Sequence, residues 1–202
     1  MSAWYLWPLW AALGAFGWTF SEYAMHRWWG HEGRGRNEFS REHLHHHADT
    51  RYFASAKAKA KAALLLLGVV LPVLGWALGW SGVALAVGYI AMYLTYEVIH
   101  RRIHTHPPAH RYGRWVRRHH YYHHFSGPRF NHGVTTPLWD HVFGTLREPG
   151  VIRVPRKHVM VWLLDPATGE VRADLAQDYA LAKRGEPFAH EQGEVHAVPQ
   201  EA

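Results

Sequence analysis

Two long apolar stretches dominate the first half of the chain. Residues 3–20 are almost entirely apolar, and residues 62–98 form a second apolar run that is interrupted by Ser81-Gly82. A membrane-spanning helix needs about 20 apolar residues, with about 17 as the lower limit. The first stretch therefore predicts one span. The second predicts two short helices of roughly 17 to 19 residues each, joined by a tight turn near Gly79 to Gly82.

The first stretch lacks the positively charged leader of a signal peptide and continues directly into Glu22 and His26. This continuity predicts a span that is retained rather than cleaved. Buried core helices of a soluble protein are the alternative for all three segments.

The positive charges indicate how the spans are oriented. The chain carries 22 Lys and Arg residues against 16 Asp and Glu, a formal charge of +6. The first cation is Arg27, and every one lies either between the first two predicted spans or after the third. Three spans place both regions on one side, which the positive-inside rule makes the cytoplasm. We expect a membrane partner and no nucleic acid, although a basic chain alone would suit either.

The predicted fold class is therefore an all-α integral membrane protein. It has about three transmembrane helices, or four if a re-entrant or further segment is present, and a helical cap on the cytoplasmic side.

Histidine is the second unusual feature of the composition. The chain has 19 histidines and no cysteine, so disulfides, thiolate metal sites and iron–sulfur clusters are excluded. Fourteen histidines fall in four runs, within residues 26–31, 43–47, 100–110 and 119–124. The predicted spans separate these runs in sequence, yet the predicted topology gathers all of them on the cytoplasmic face.

Two of the runs share the pattern His-x-x-His-His, and on a helix positions i, i+3 and i+4 lie on one face. Each run is therefore predicted to aim three imidazoles at one point. The residues are His43, His46 and His47 in one run, and His120, His123 and His124 in the other.

The other two runs each contribute a pair. His100 and His104 are one helical turn apart, directly after the third predicted span. His26 and His31 are separated by five positions, which places them about 140° apart on an α-helix. We therefore expect the helix that carries them to end or bend near Gly30.

Ten imidazoles are about the number that two six-coordinate metal ions need, with positions left for water or O2. Neutral imidazole suits Zn, Cu, Fe and Ni, whereas a structural zinc site needs only four ligands. The pattern thus predicts a dinuclear metal centre. The alternative is a histidine-rich surface tract that binds metal non-specifically.

Carboxylates allow a rival arrangement. A carboxylate-bridged di-iron site uses Glu-x-x-His pairs, and Glu42 with His45 and Glu97 with His100 have that spacing. This arrangement leaves both His-x-x-His-His runs without a role. We predict instead that carboxylates orient the imidazole N–H groups; the candidates are Glu22, Glu97 and Asp140.

The four runs, spaced in this order, resemble the fatty acid hydroxylase/sterol desaturase superfamily of membrane di-iron proteins, over roughly residues 20 to 146. The segment Phe130–Thr145 is similar to the part that closes that domain. The Glu-Tyr-x-x-His-Arg opening at Glu22, and the His-His-Phe that ends at Phe125, look closest to fatty acid 2-hydroxylases.

The resemblance implies that ten histidines bind two iron ions, with zinc able to substitute in a purified sample. They are His26, His31, His43, His46, His47, His100, His104, His120, His123 and His124. His119 is the substitute for His120 if that helix is rotated. The resemblance also implies O2 as co-substrate and hydroxylation of a lipid acyl chain, of fatty acid or sphingolipid type, that enters from the bilayer.

The chain lacks the His-Pro-Gly-Gly haem segment of a fused electron donor. Electrons are therefore expected from an external partner, a ferredoxin or a cytochrome with its reductase. Residue usage rich in Ala, Gly, Arg and Trp suggests a bacterial inner membrane, with the metal site cytoplasmic.

Other functions remain open. A carotenoid ring hydroxylase and a sterol oxidase or desaturase share the superfamily's chemistry. A non-catalytic metal-binding or transport protein is the alternative of another class, although transport predicts ionisable groups deep inside the spans.

Two sets of side chains are candidates for substrate contacts. Aromatic candidates for an acyl channel are Trp28, Trp29, Phe53, Tyr121, Tyr122 and Phe125. Candidates for head-group or phosphate binding are Arg101, Arg102, Arg111, Arg114, Arg117 and Arg118. An interfacial aromatic belt and positive-inside anchoring are their simpler roles.

The sequence changes character after Glu148. We predict a hydroxylase domain over residues 1–148 and a cytoplasmic extension over residues 149–202, without a catalytic role. A β-hairpin is predicted around Pro166 to Gly169, and the polar last 20 residues are predicted to be disordered.

Overall fold

The computed structural model describes residues 4–183 and is mostly helical. The predicted disorder of the last 20 residues lies outside the described residues. The helices are α1 (Trp7–Ala24), a π-helical turn (Met25–His31), α2 (Glu38–Ala48), α3 (Ala56–Leu65), a second π-helical turn (Leu66–Val70), α4 (Leu71–Leu78), α5 (Trp80–Thr105), α6 (Arg111–Phe125) and α7 (Leu138–Val142). Two short strands, β1 (Ile152–Val154) and β2 (Tyr179–Leu181), pair in parallel.

The residues form two compact units. The first unit contains Met1–Glu22 and Ala54–Val98, and the second contains Tyr23–Phe53 and Ile99–Ala202. All four histidine runs belong to the second unit.

Small residues allow the helices of the first unit to pack closely. A side chain at Gly14 or Gly88 would collide with the backbone of the facing helix, α5 or α1 respectively. Glycine at such positions lets helix backbones approach each other in a membrane. Trp18 then packs against three tyrosines of α5, with ring centroids 4.8 to 5.7 Å away.

Among residues 4–183, two helices are long and apolar enough to cross a membrane, by length and composition: Lys57–Leu78 and Trp80–Thr105. They meet at Gly79, whose φ of +59° favours glycine, so the turn lies where the sequence predicted it. The first predicted span is also helical and exposes Leu9, Leu13 and Phe16. It is not one of the two helices that meet the criterion, so the total of three spans stays a prediction.

The helix that carries the third predicted span is longer than predicted. α5 has 26 residues because the helix continues past the end of the apolar run at Val98 and through Arg101 and Arg102. The continuation places His100 and His104 on the same helix as the candidate span rather than beyond it.

Side-chain caps fix the starts of α2 and α6, the two helices that carry six of the ten candidate histidines. Asn37 accepts a hydrogen bond from the Ser40 N–H at 2.7 Å and begins α2. His110 accepts one from the Gly113 N–H at 3.1 Å and begins α6. Such caps satisfy amide groups that a helix start leaves unpaired.

Residues 149–183 pack within the second unit. Ile152, Val154, Leu163 and Tyr179 are buried, and β1 lies against α6. The predicted hairpin around residues 166–169 is reduced to a single antiparallel bridge between Leu164 and Val171, because the flanking residues form short 3₁₀ turns. The predicted domain boundary at residue 148 stays a prediction.

Candidate metal centre

The ten candidate histidines lie in two groups of five. In each group the facing ring nitrogens all lie within 4.8 Å of one another. The first histidine group consists of His26, His31, His43, His47 and His123. The second histidine group consists of His46, His100, His104, His120 and His124.

Each His-x-x-His-His run is divided between the groups, so the prediction that each run aims at one point was wrong. On α2, His43 and His47 belong to the first group, and His46 belongs to the second. The i and i+4 positions of a helix are about 40° apart, whereas i+3 is displaced by about 60° to the other side. The pair therefore faces one centre and the residue between faces the other.

The same division occurs on α6, with the roles reversed. His120 and His124 join the second group, and His123 joins the first. α2 and α6 thus each supply ligand candidates to both groups, which holds the two centres side by side.

A π-helical turn brings His26 and His31 together. The Glu32 N–H donates to the Arg27 carbonyl at 2.9 Å, five residues back, and the wider turn places positions five apart on one side. The helix ends at His31, next to Gly30, as the sequence predicted, but the wider turn rather than a bend brings His31 to the same side as His26. Gly30 has another role: a Cβ there would lie 2.9 Å from the His43 ring, so the glycine leaves room for that imidazole.

Backbone carbonyls define the protonation of three rings. His26 Nδ1 lies 2.5 Å from the His132 oxygen, His123 Nδ1 lies 2.7 Å from the Phe130 oxygen, and His46 Nδ1 lies 2.7 Å from the Tyr52 oxygen. A carbonyl only accepts, so each Nδ1 carries the proton and each Nε2 of these neutral rings is left with a lone pair. Sequence reasoning missed these carbonyls, because any residue type can supply one.

The facing Nε2 atoms are close enough for a shared cation. Two ligands at right angles about a metal at about 2.0–2.1 Å lie about 2.8–3.0 Å apart, against about 3.3–3.4 Å in a tetrahedral site. The observed pairs are His31–His43, His31–His123 and His104–His120 at 2.9 Å, and His47–His123 and His46–His100 at 3.1 Å. These separations fit right-angle coordination by five ligands, and a cation would offset the repulsion between converging lone pairs.

Burial keeps the imidazoles neutral, which is the form that binds metal. Burial lowers the pKa of His26 to about 3 and that of His46 to about 4. The pKa values of other group members are also held well below the ordinary value, first by burial and then by neighbouring imidazoles; these are His43, His47, His120, His123 and His124.

Asp140 supports the first histidine group through the backbone. Its buried carboxylate accepts from the N–H groups of His132 and Gly133, both at 2.8 Å, and from the Thr145 hydroxyl at 2.7 Å. His119 Nε2 lies 3.1 Å from the same carboxylate. His119 is therefore turned away from the metal groups and does not replace His120. Asp140 thus fixes the loop in which the His132 carbonyl accepts the hydrogen bond from the His26 Nδ1–H.

The other two carboxylate candidates lie in the first unit. Glu97 forms an ion pair with Lys59, and Glu22 is buried near the end of α1. Their predicted action on imidazoles stays a prediction. Of the rival Glu-x-x-His pairs, Glu42 accepts a hydrogen bond from Tyr52 at 2.5 Å, and His45 stacks on that ring, so His45 lies outside both groups.

The candidate substrate contacts separate into two sets. Phe53 lies beside the second histidine group, with its ring centroid 5.7 Å from His46, and Arg101 lies 5.0 Å above that ring. Three of the arginines have structural partners instead. Arg114 and Arg118 pair with Asp178, and Arg117 donates to the carbonyls of Arg102, His106 and Gly113.

The sequence profile of the fatty acid hydroxylase family matches residues 11–145, which contain both histidine groups. The chain belongs to the fatty acid hydroxylase family. The resemblance seen in the histidine runs is thereby confirmed.

Two similar relatives are dihydroceramide fatty acyl 2-hydroxylases of Arabidopsis thaliana. FAH2 is 30% identical over 152 residues and FAH1 is 27% identical over 154 residues. Both matches cover 72% of this chain, but 63% and 62% of the respective relative. A solved structure of full-length Scs7p, with only its hydroxylase domain visible, is 25% identical with a TM-score of 0.57. That match covers 73% of this chain and 58% of the other, so the chain spans about three fifths of the relatives it matches.

Proposed function

We propose that this family member is an O2-dependent hydroxylase of a lipid acyl chain, with two iron ions bound by the two histidine groups. The observation that supports the proposal is the pair of five-histidine groups, each with converging nitrogens, inside the region that matches the family.

The ten histidines are the proposed ligands, one metal ion to each group. Iron is the metal proposed, and zinc fits the same neutral nitrogens in a purified sample. Bound iron would supply the activation of O2 and the transfer of its oxygen to an unactivated carbon.

The chain's own residues prepare the ligands and keep water away. Three backbone carbonyls accept hydrogen bonds from ring N–H groups and so hold the proton at Nδ1, which leaves Nε2 free to bind metal. The carbonyls are those of Phe130, His132 and Tyr52, and the rings are His123, His26 and His46 respectively. Asp140 holds the loop that supplies the first two of these carbonyls. Burial of the imidazoles excludes water, which protects a reactive centre from side reactions.

The proposed substrate is a fatty acyl chain, free or in a sphingolipid, hydroxylated near its carboxyl end. The two similar relatives are acyl 2-hydroxylases by name. Phe53 is the proposed wall against which the reacting carbon approaches the second group, because its ring lies within about 6.3 Å of His46, His100 and His104.

We place the histidine groups on the cytoplasmic side of a multi-pass membrane protein, because the Lys and Arg residues share their part of the chain. The lipid would then enter from the bilayer, and a separate ferredoxin or cytochrome with its reductase would deliver electrons from the cytoplasm.

The test is lipid mass spectrometry on cells that express the chain, combined with metal analysis of the purified protein. The variants are His43→Ala in the first group and His120→Ala in the second. His45→Ala is the matched control, because His45 lies on α2 beside both groups but belongs to neither. We expect a hydroxylated acyl species with oxygen derived from ¹⁸O-labelled O2, lost in both group variants and retained in the control.

Two outcomes would contradict the proposal in different ways. If the iron-loaded chain oxidises a carotenoid or sterol but no acyl lipid, the substrate is a carotenoid or sterol rather than an acyl chain. Variable loading with zinc or nickel, without any oxidised lipid, would indicate a non-catalytic metal-binding protein.

A further inference from the structure

The end of α5, which carries His100 and His104, is held by an unusual set of side chains. The last four carbonyls of an α-helix lack partners within the helix and must be satisfied elsewhere. In most helices water or the following residues do this. Here donors from two other segments of the second unit reach these carbonyls.

Three side chains provide the hydrogen bonds. Arg117 Nη2 donates at 2.8 Å to the Arg102 carbonyl, which also accepts from the His106 N–H at 3.0 Å. The Tyr121 hydroxyl donates to the Ile103 carbonyl at 2.6 Å. The Trp162 indole N–H donates to the carbonyl of His104 itself at 3.2 Å. Arg117 and Tyr121 belong to α6, and Tyr121 lies between the histidines of that helix. Trp162 lies beyond residue 145, where the family match ends.

The two histidine groups differ in how their rings are oriented. In the first group, His26 and His123 each place Nδ1 on a loop carbonyl. In the second group His46 likewise places Nδ1 on the Tyr52 carbonyl, but the Nδ1 atoms of His104, His120 and His124 are buried without a hydrogen-bond partner among residues 4–183. Hydrogen bonds at Nδ1 therefore do not orient these three imidazoles, whose orientation depends more on the positions of their backbones.

The segment that contains Trp162 is firmly attached to α6. Asp178 pairs with Arg114 at 2.5 Å and with Arg118 at 3.3 Å. The Tyr121 ring lies 6.2 Å from Trp162 and 6.1 Å from Tyr179. Trp162 is therefore placed by contacts to the same helix that supplies His120 and His124.

We infer that residues 150–183 are a functional part of the metal centre, and that Trp162 is a positioning residue for the second histidine group. By holding the His104 carbonyl, Trp162 fixes the last turn of α5 relative to α6, and so sets the spacing of His104 from His120. The inference rests on the proposed function only in that the second group binds a metal ion. It adds a positioning role to the extension after residue 148, for which the sequence predicted no catalytic role.

The test compares Trp162→Phe with Val161→Ala in the full-length protein. Phenylalanine keeps an aromatic ring against Tyr121 but removes the N–H donor, and Val161 is the neighbouring residue with 90% exposure. Two metal-binding constants are measured by chelator competition with Fe²⁺ and with Zn²⁺. In Trp162→Phe we expect one constant to weaken by about 10- to 100-fold, as for other outer partners of metal ligands, and the other to stay unchanged. Val161→Ala should match wild type in both.

A second measurement needs no variant. If docking of the segment and metal binding are coupled, each must strengthen the other. Hydrogen–deuterium exchange of the wild-type protein, with and without Zn²⁺, should show slower exchange in peptides that cover residues 158–165 when metal is added.

The outcomes separate this inference from the proposed function. Wild-type protein that binds fewer than two metal ions would overturn the two-metal proposal itself. Wild-type protein with two bound ions, together with unchanged constants in Trp162→Phe, would overturn only the role of Trp162. Should that variant not fold, unchanged exchange at residues 158–165 on metal addition would overturn the role in the same way.

Discussion

At the scale of single residues, the most consequential group outside the histidines is Asp140. Burial alone would raise the pKa of its carboxyl, but the hydrogen bond from His119 and those of the surrounding loop outweigh burial and hold the pKa well below its usual range. The carboxylate is thus ionised and fully used as an acceptor. Its effect on His26 passes through one peptide unit, because the Gly133 N–H that donates to Asp140 and the His132 carbonyl that accepts from His26 belong to the same peptide group.

Asp140→Asn should weaken both the fold and the first histidine group. The amide would present a donor to groups that are already donors, which leaves buried polar atoms unpaired and costs about 3 kcal/mol in the free energy of unfolding. Unfolding in detergent and chelator competition measure the two effects. Asp174→Asn is the control, since that carboxylate is exposed and pairs with Arg172 at the surface. Equal stability and metal affinity in the two variants would refute the role of Asp140.

The lowered histidine pKa values predict that acid destabilises the metal-free protein. The pKa is about 3 for His26 and about 4 for His46 in the folded state, against 6.5 ordinarily. Their contribution to stability is therefore complete above pH 6.5 and is lost as the pH falls from 6.5 toward these values, since the unfolded chain binds protons first.

In that range each such histidine lowers the free energy of unfolding by about 1.4 kcal/mol for each unit by which the pH falls. Thermal unfolding of the metal-free protein between pH 7.5 and 4.5 measures this pH dependence. Stability that stays constant from pH 6.5 to 4.5 would contradict the prediction. Metal-loaded protein, compared in parallel, should resist acid until the ligands are protonated and the metal is released.

At the scale of elements, the first histidine group is assembled by the π-helical turn at Met25–His31 and by α2, which passes close to that turn. His31 is five positions after His26, and only the wider turn places both rings on one side. Gly30 lies at the inner face of this turn, against the His43 ring. The turn and α2 therefore fit together only without a side chain at this position.

Gly30→Ala should displace His43 and selectively weaken the binding of a metal ion to the first histidine group. The added Cβ would lie 2.9 Å from His43 Cδ2, closer than van der Waals contact allows. We expect a loss of about tenfold or more in the affinity for one metal ion, by chelator competition. Gly68→Ala is the matched control: it also substitutes a glycine in a π-helical turn, but the added Cβ meets nothing within 4 Å. Identical metal-binding constants in both variants would contradict the prediction, because His43 would then bind metal equally well after its displacement.

At the scale of the whole molecule, the distribution of charge and of apolar surface predicts the topology. Two helices meet the criterion for a span, Lys57–Leu78 and Trp80–Thr105, and α1 exposes large apolar side chains along its length. If α1 also crosses, the N-terminal end and the histidine runs lie on opposite sides of the membrane.

Single cysteines can test this topology, because the chain has none of its own. The exposed positions Trp4, Arg51 and Ala167 are each replaced by cysteine and treated with a membrane-impermeant maleimide. We expect Trp4→Cys to react in intact cells, and Arg51→Cys and Ala167→Cys to react only after the membrane is opened. Reaction of Trp4→Cys and Arg51→Cys on the same side would show that α1 does not cross.

The sequence by itself determined the features that depend on local spacing and on composition. Apolar run lengths predicted the helices and the turn at Gly79, because the hydrophobic requirement of a span is a property of consecutive residues. The identity of the ten grouped histidines was also predictable, since an imidazole is recognisable wherever it stands. The family followed from the order of the four runs.

Only the tertiary structure decided which histidines share a metal group and what orients them. Periodicity places His43, His46 and His47 on one broad face of α2, but the positions of the π-helical turn, α5 and α6 divide that face between two centres. The carbonyls of Phe130 and His132 are invisible in sequence, because every residue has one. Trp162 is separated from His104 by 58 positions, and nothing local to either residue predicts their contact.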